Sequence, residues 1–434
     1  MRKFNKLVFL GCFSVASLAH AQLSQDSIQY GGWNKFRVGG YGEMVSAFKD
    51  YGTNRFYGSS EGNTKEHRST ISIPRFVLAG DYKFNSKWIL GVEIEFESGG
   101  VGSAYELENT ENGEYETEVE KGGEVALEQF HITRLIDRAF NVRAGHVILP
   151  VGQNNGHHEP LNFFGTVRPE GETSIIPNTW HETGLEFFGT VGKGLSTFDY
   201  QVFVTTGLNA NGFDRNNWAQ GGKQGIFEED NFSQPAYTAR IDWRGVPGLR
   251  LGGSFYYCAN IGANADKMQT YKGKGKMPVR IYSVDAQYKN SFVEARCNFL
   301  WGNLTNSQVL SQRNGGQSNA SPYTRVTPVA HEAVSYGGEL GLNLRGLVGQ
   351  GQSFPEIIPF ARYEYYNPQE DVVGLYSADN RCKVGMWVAG LNWRALPNLV
   401  VKADYTSRRI GNGKYNSENE FAIGVAWAGW FSKK

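Results

Sequence analysis

No stretch of this 434-residue chain offers the roughly 18 to 20 consecutive apolar residues that a membrane-crossing helix requires, which excludes a helical membrane protein. A mean hydropathy of −0.43 agrees. Methionine (5) and proline (14) are scarce, and the 4 cysteines are too few and too widely spaced for a disulfide scaffold or a close-pair metal site. Cys12 falls in an N-terminal leader, while Cys258, Cys297 and Cys382 read as small apolar strand residues. An excess of either charge is also missing, with 43 Lys plus Arg against 43 Asp plus Glu. Losing the leader removes Arg2, Lys3 and Lys6 and leaves a slightly acidic chain, which argues against a nucleic-acid partner. Neither G-x-S-x-G nor H-E-x-x-H occurs, so the sequence does not read as an enzyme, and no cofactor is implied. The run Lys272-Gly273-Lys274-Gly275-Lys276 lacks the frame of a phosphate-binding loop and reads as a basic external loop.

What the chain does have is glycine (54) and aromatic residues (14%), a composition suited to many strands and turns. Residues 1–21 read as a signal peptide, with basic residues, an apolar run from Leu7 to Leu18 and the small-x-small site Ala19-His20-Ala21. Residues 22–434 are then expected to form one exported domain. Strict alternation runs through it. Trp88, Leu90, Val92, Ile94 and Phe96 alternate with Glu93, Glu95 and Glu97. Three carboxylates on one strand face cannot enter a packed core unpaired, so that face meets water while the other meets something apolar. The same two-residue period recurs at Phe198–Val204, Tyr237–Arg244, Tyr282–Tyr288, Val293–Trp301, Glu339–Leu344 and Val401–Tyr405. Cys382–Trp393 also reads as a strand, with faces that the pattern leaves unassigned.

Connections alternate as well. Short links at Asn85-Ser86, Gly192–Gly194, Pro247-Gly248, Lys289–Ser291 and Leu396–Asn398 are interleaved with long polar segments at 99–123, 207–235, 260–277 and 303–331. Roughly ten-residue alternating strands, short turns on one side and long loops on the other are the signature of a transmembrane antiparallel β-barrel, here of about 16 strands. Tyr82, Trp88, Trp243, Tyr288, Trp301, Trp393, Tyr405, Trp430 and Phe431 lie near turns or loop mouths, as interfacial girdles would. A soluble sandwich would not place them so. Localisation in the bacterial cell outer membrane follows, with lipid and lipopolysaccharide as surroundings. The acidic segment Glu106–Glu120 lacks ordered calcium-ligand spacing and reads as a solvated or lipopolysaccharide-facing loop.

The third long loop, at about 150–181, differs from the rest. It carries Asn154, His157, His158, Glu159, Arg168, Glu170 and Glu172 between two strand-like ends and is expected to fold into the lumen as a constriction. Adjacent side chains rarely converge on one ion, so His157-His158-Glu159 reads as a brace rather than a metal site. By parity the inward wall carries Arg37, Arg75, Glu93, Glu95, Arg143, Arg240, Arg296 and Arg362, among other charges of both signs. A mixed lining predicts weak selectivity, since ion selection needs rings of one sign at a constriction.

Arg143-Ala144-Gly145-His146, Leu149-Pro150-Val151-Gly152, His157–Pro160, Arg168-Pro169-Glu170 and Ile176–Trp180 resemble the phosphate-selective porin O and P family, in particular its Bacteroidetes-type members. The resemblance implies a sixteen-stranded, trimeric ion-transport channel whose third external loop enters the lumen, with phosphate or related anions selected by pore-lining basic residues. The reading is thus an outer-membrane porin for passive diffusion of small hydrophilic solutes and ions. An anion-selective channel and a non-conducting barrel serving as adhesin or partner anchor are its alternatives.

Overall fold

The computed structural model describes residues 33–52, 66–100, 104–109, 115–120, 124–224, 229–265, 268–315, 328–348, 354–411 and 416–433. The leader read at 1–21 lies outside them. The strands are β1 (Phe36–Gly52), β2 (Glu66–Lys83), β3 (Trp88–Glu97), β4 (Ala104–Asn109), β5 (Tyr115–Glu120), β6 (Glu124–Leu135), β7 (Asn141–Ile148), β8 (His181–Val191) and β9 (Phe198–Thr205). They continue with β10 (Ala236–Trp243), β11 (Leu249–Cys258), β12 (Val279–Lys289), β13 (Val293–Leu304), β14 (Glu332–Leu342), β15 (Glu356–Asp371), β16 (Val384–Leu396), β17 (Leu399–Ile410) and β18 (Asn416–Lys433). Sixteen of them close into an antiparallel barrel in which β1 pairs with both β2 and β18. The remaining pair, β4 and β5, forms a separate hairpin. The acidic segment expected to be a plain loop therefore contains a hairpin; its side chains lie outside the described residues.

Closure follows from the alternation. On β3, Ile89, Gly91, Glu93 and Glu95 are buried inward, whereas Trp88 and Ile94 are exposed outward. Leu78, Ile132, Ile241, Val284, Phe299, Leu340, Leu391 and Ile423 extend the outer band round the barrel. A continuous apolar belt of that size is far beyond the patch a water-soluble monomer exposes and is what a bilayer covers. Exposed Tyr82, Trp88, Tyr288 and Trp393 lie at the short-turn end, with Phe48, Tyr237, Tyr405 and Phe421 towards the other. Trp430 departs from that expectation. It turns inward beneath the Arg37 guanidinium, 4.0 Å from its ring centre. Cys382 also differs, sitting in a single helical turn before β16 rather than in the strand. Among the described residues no helix is long and apolar enough to cross a membrane.

Short turns need special backbone geometry. Gly248 has φ +80°, and a Cβ there would stand 2.2 Å from the Lys289 carbonyl. The long-loop end is different: its segments fold over and into the barrel. Leu208, Phe213, Trp218, Ile261, Met277, Leu310 and Val329 join Trp180, Ile175 and the inward-facing Phe203, Tyr256, Ile281 and Leu300 in one apolar cluster. That plug meets the wall from Val147 of β7 round to Ile410 of β17.

Candidate functional site

The segment between β7 and β8 enters the barrel, as its composition requires. Leu149, Val151, Phe163, Phe164, Ile175, Ile176 and Trp180 are all buried. Its neck is pinned by Leu149 N–H donating to the Trp180 carbonyl at 2.7 Å, and it contains two short helices, α1 (Gly152–Gly156) and α2 (Glu170–Thr173). A buried loop must find partners for its own backbone polar groups. Here the wall supplies them. Lys402 Nζ donates to the carbonyls of Pro160, Phe163 and Gly165 at 2.6, 2.8 and 2.9 Å. Thr166 N–H donates to Asp404 at 2.5 Å and Gly171 N–H to Glu364 at 2.8 Å. Arg75 donates to the His158 carbonyl at 2.9 Å, Arg240 to that of Gly152 at 3.1 Å and Arg362 to that of Val167 at 3.3 Å. Gly152 N–H meets the hydroxyls of Ser254 and Ser283, both at 3.2 Å.

The loop's charged side chains separate towards different walls. His157 faces the Arg250 guanidinium and the Gln153 carbonyl. Burial, reinforced by Arg250, pushes its pKa well below the usual imidazole range. His158 Nε2 contacts Glu128 of β6 at 2.8 Å, and Tyr41 donates to the same carboxylate. Glu159 accepts from Asn162 at 2.5 Å. His157, His158 and Glu159 thus diverge, and among the described residues no His, Cys, Asp and Glu group could hold a metal. Arg168 donates to Thr179 at 2.8 Å, and burial, followed by the neighbouring Arg75, lowers its pKa. Glu170 is ion-paired with Arg408 of β17 and accepts from Tyr366 at 3.3 Å. Glu172 accepts from the backbone N–H groups of Gln153 and Asn154 at 2.9 and 2.7 Å and from Asn298 at 2.8 Å. Burial pushes it up to about 6 against those hydrogen bonds.

Each wall residue named from parity is buried and inward. Arg37 pairs with Asp81 at 2.6 Å, Arg75 with Glu43 at 3.1 Å and Arg143 with Glu186 at 2.6 Å. Arg240 bridges Asp242 and Asp285 at 2.7 and 3.0 Å; Arg296 pairs with Glu339, and Arg362 with Glu364 at 2.8 Å. Glu93 accepts from Gln129 at 2.5 Å. Sequence reasoning missed Tyr41, Glu128 and Gln129, and the part that Lys402 and Asp404 play as loop anchors. Above Val167 and Glu170 a polar cavity of about 140 Å³ is walled by Lys49, Glu420, Arg408 and Asp404.

These groups make the loop's docking depend on pH. Burial lowers the His158 pKa, but the Glu128 carboxylate more than offsets it, so the pKa is raised above 6.5. A raised histidine pKa contributes stability that is complete below 6.5 and lost as pH climbs through the raised value. Glu170 has the opposite sign. Although burial opposes it, Arg408 holds its pKa below 4.5, and that contribution is lost as pH falls through the lowered value. Protection factors of the amides in residues 150–180, taken relative to the intrinsic exchange rate at each pH, are expected to fall as pH rises through the raised His158 value and as it falls through the lowered Glu170 value, and H158Q should flatten the alkaline side.

No family model matches the chain. An uncharacterized protein of Aquifex aeolicus (strain VF5) is 22% identical over 396 residues, 89% of this chain and 78% of that protein. Among solved structures, OmpF of Salmonella typhi in complex with daunomycin superposes over 91% of this chain and 98% of its own, with a TM-score of 0.53 and 12% identity. The fold is that of a porin. An anion-selective porin from Comamonas acidovorans (TM-score 0.52, 9% identity) and OprB of Pseudomonas putida (TM-score 0.52, 13% identity) also match over 91% of this chain, covering 100% and 94% of theirs. At these identities the likeness concerns the barrel, and the porin fold here carries its own loop anchors and plug.

Proposed function

We propose that this chain is an outer-membrane porin, a passive channel for small hydrophilic solutes and ions. One observation carries the reading: a closed barrel with an apolar outer belt holds a charged inward face and a loop stitched across its lumen. An adhesin needs no such wall of buried charge, which is costly to keep unless it pairs and faces a water-filled path. Passage would be steric and electrostatic, without energy input. The interleaving of Arg240 with Asp242 and Asp285, and of Arg362 with Glu364, supports weak selection rather than a ring of basic groups for phosphate. Assembly as a homotrimer, implied by the sequence resemblance, belongs to the same reading and is tested by the mass of the detergent-solubilised particle. For the channel itself the test is swelling of proteoliposomes in neutral sugars of increasing size. Swelling with the smallest sugars and none with larger ones is expected. Folded barrels that admit neither sugar nor ionic current would make the chain an anchor or adhesin.

A further inference from the structure

Arg280 stands on the outside of the barrel. Its neighbours Val279 and Ile281 are wholly buried in the plug, so Arg280 and the exposed Tyr282 point the other way. Strand register sets Arg280 level with Tyr257 of β11 and Asn303 of β13. Two residues nearer the membrane centre, Tyr282 is level with Phe255 and Trp301. The rings form one cluster, with centres 6.4 Å apart for Phe255 and Tyr257, 4.8 Å for Phe255 and Tyr282 and 5.7 Å for Tyr282 and Trp301. The Arg280 guanidinium lies 5.6 Å from the Tyr257 ring centre. Among the described residues its one hydrogen bond is a long one, 3.4 Å to the Thr305 hydroxyl, and it has no carboxylate partner. Most of its N–H donors are therefore unspent.

Further out come Lys272, Lys274 and Lys276, all exposed and without a carboxylate partner among the described residues. Their segment is held at both ends. Tyr271 and Met277 are buried in the plug, the Tyr271 hydroxyl donates to Asn211 at 3.1 Å, and Met277 N–H donates to the Asn260 side chain at 3.1 Å. Thr305 N–H donates to the Pro278 carbonyl at 3.0 Å and the Asn306 side chain to that of Lys276 at 2.8 Å, which carries the β12–β13 contact outward past Arg280. Gly273 and Gly275 have φ +74° and +84°, so the lysines ride on a turn of defined shape.

Two residues of strand advance about 7 Å, which puts Arg280 just outside the ring cluster and the lysines beyond it. Aromatic belts mark the edge of the hydrocarbon, and lipid headgroups occupy the next layer. Acidic groups lie elsewhere. Glu332, the next residue on the Arg280 rung beyond Asn303, bounds the patch on the β14 side, and the acidic stretch Glu106–Glu120 leaves the barrel between β3 and β6. The plug separates Arg280 from the lumen, so a permeating solute does not meet it.

We propose that the outer face of β11–β13 holds a phosphate-bearing headgroup of outer-leaflet lipopolysaccharide, with Arg280 and the three lysines taking the phosphate and the ring cluster lying along the start of its acyl chains. A guanidinium offers paired N–H donors that match phosphate oxygens, and clustered lysines add attraction to an anionic surface. The proposal needs the barrel and its outer face and is independent of conduction.

The test is native mass spectrometry of the full mature barrel in neutral detergent, titrated with diphosphorylated lipid A. Retained lipid is expected. K272Q/K274Q/K276Q should weaken its binding about tenfold or more, R280Q should weaken it severalfold, and R280K should recover most of the loss. K87Q/K193Q/R345Q, which removes as many exposed charges as the lysine variant but from the short-turn end, should change nothing. Dephosphorylated lipid A should bind far more weakly, and equimolar inorganic phosphate should not displace the lipid. Should R280Q fail to fold, the lysine variant decides, because its three side chains project from the surface. Equal losses in the two triple variants, undiminished binding of the dephosphorylated lipid, or displacement by equimolar phosphate would each overturn the proposal.

Discussion

Replacing Lys402 with methionine is expected to raise the unit conductance severalfold and to admit larger sugars. Methionine keeps the length of the side chain and removes the ammonium that three loop carbonyls share. The side chain is almost wholly enclosed, so those carbonyls would be left without their donor. A buried acceptor deprived of its partner costs about 1–3 kcal/mol, and hydrogen bonds to charged donors stand at the upper end. Desolvating the lysine itself offsets part of this, and the three bonds are not additive. A net loss of roughly 3–4 kcal/mol changes the docked-to-undocked ratio by about two to three orders of magnitude. The barrel's strand pairing is untouched, so the variant should insert normally and show larger, noisier steps in single-channel recordings. Unchanged conductance would mean that the Asp404, Glu364 and Arg75 anchors suffice alone.

Truncating Trp218 to alanine should release the external plug. This indole is fully buried, donates to the Ala330 carbonyl at 3.1 Å and packs edge-on against Phe213 at 5.9 Å. It also lies against Gly302, where a Cβ would stand 2.3 Å from the ring. Removing a buried tryptophan costs about 3–5 kcal/mol. Because the plug is separate from the strand pairing, the expected phenotype is trypsin cleavage near residues 210–222 and 305–315 in a barrel that still migrates as folded. Gly302→Val, which drives a side chain into the same ring, should behave alike. Resistance in both variants would place the plug's stability in Tyr256, Ile281 and Leu300 instead.

Much of the barrel could be read in advance because a bilayer and a wet lumen impose opposite chemistry on successive residues. β3 shows why: Glu93 and Glu95 point one way, Trp88 and Ile94 the other. β16 resisted that reading for a physical reason. Trp387, Leu391 and Trp393 face lipid, but Val384, Met386 and Val388 are apolar as well, and Met386 and Val388 pack against Phe164 of the constricting loop with Ile358 and Phe360. Where the loop covers the wall, the inward face no longer needs to be polar and the period disappears. β6 hid differently. A register shift where Glu93 and Ile94 of β3 oppose Gln129 and Leu127 turns Glu128 and Gln129 inward together. That break gives His158 its carboxylate and Glu93 its amide. The loop's position inside the lumen could be anticipated from its length and polarity, but its anchors could not, since Lys402 lies 242 residues from Pro160.

The pairing of β1 with β18 has a consequence for how the molecule is made. Every other barrel contact joins strands adjacent in the chain or separated only by the β4–β5 hairpin, whereas Tyr41 meets Ala428 from the far end of the sequence. Hairpins can therefore zip up one after another, but the ring exists only when the last strand arrives. Until then two edges carry unpaired N–H and C=O groups, each costing several kcal/mol in hydrocarbon. Gly39 and Gly429 let the backbones meet, for a Cβ on Gly39 would stand 2.3 Å from the Gly429 oxygen. A chain cut short before β18 is therefore expected to have no stable resting state in the membrane, because both edges would stay unpaired.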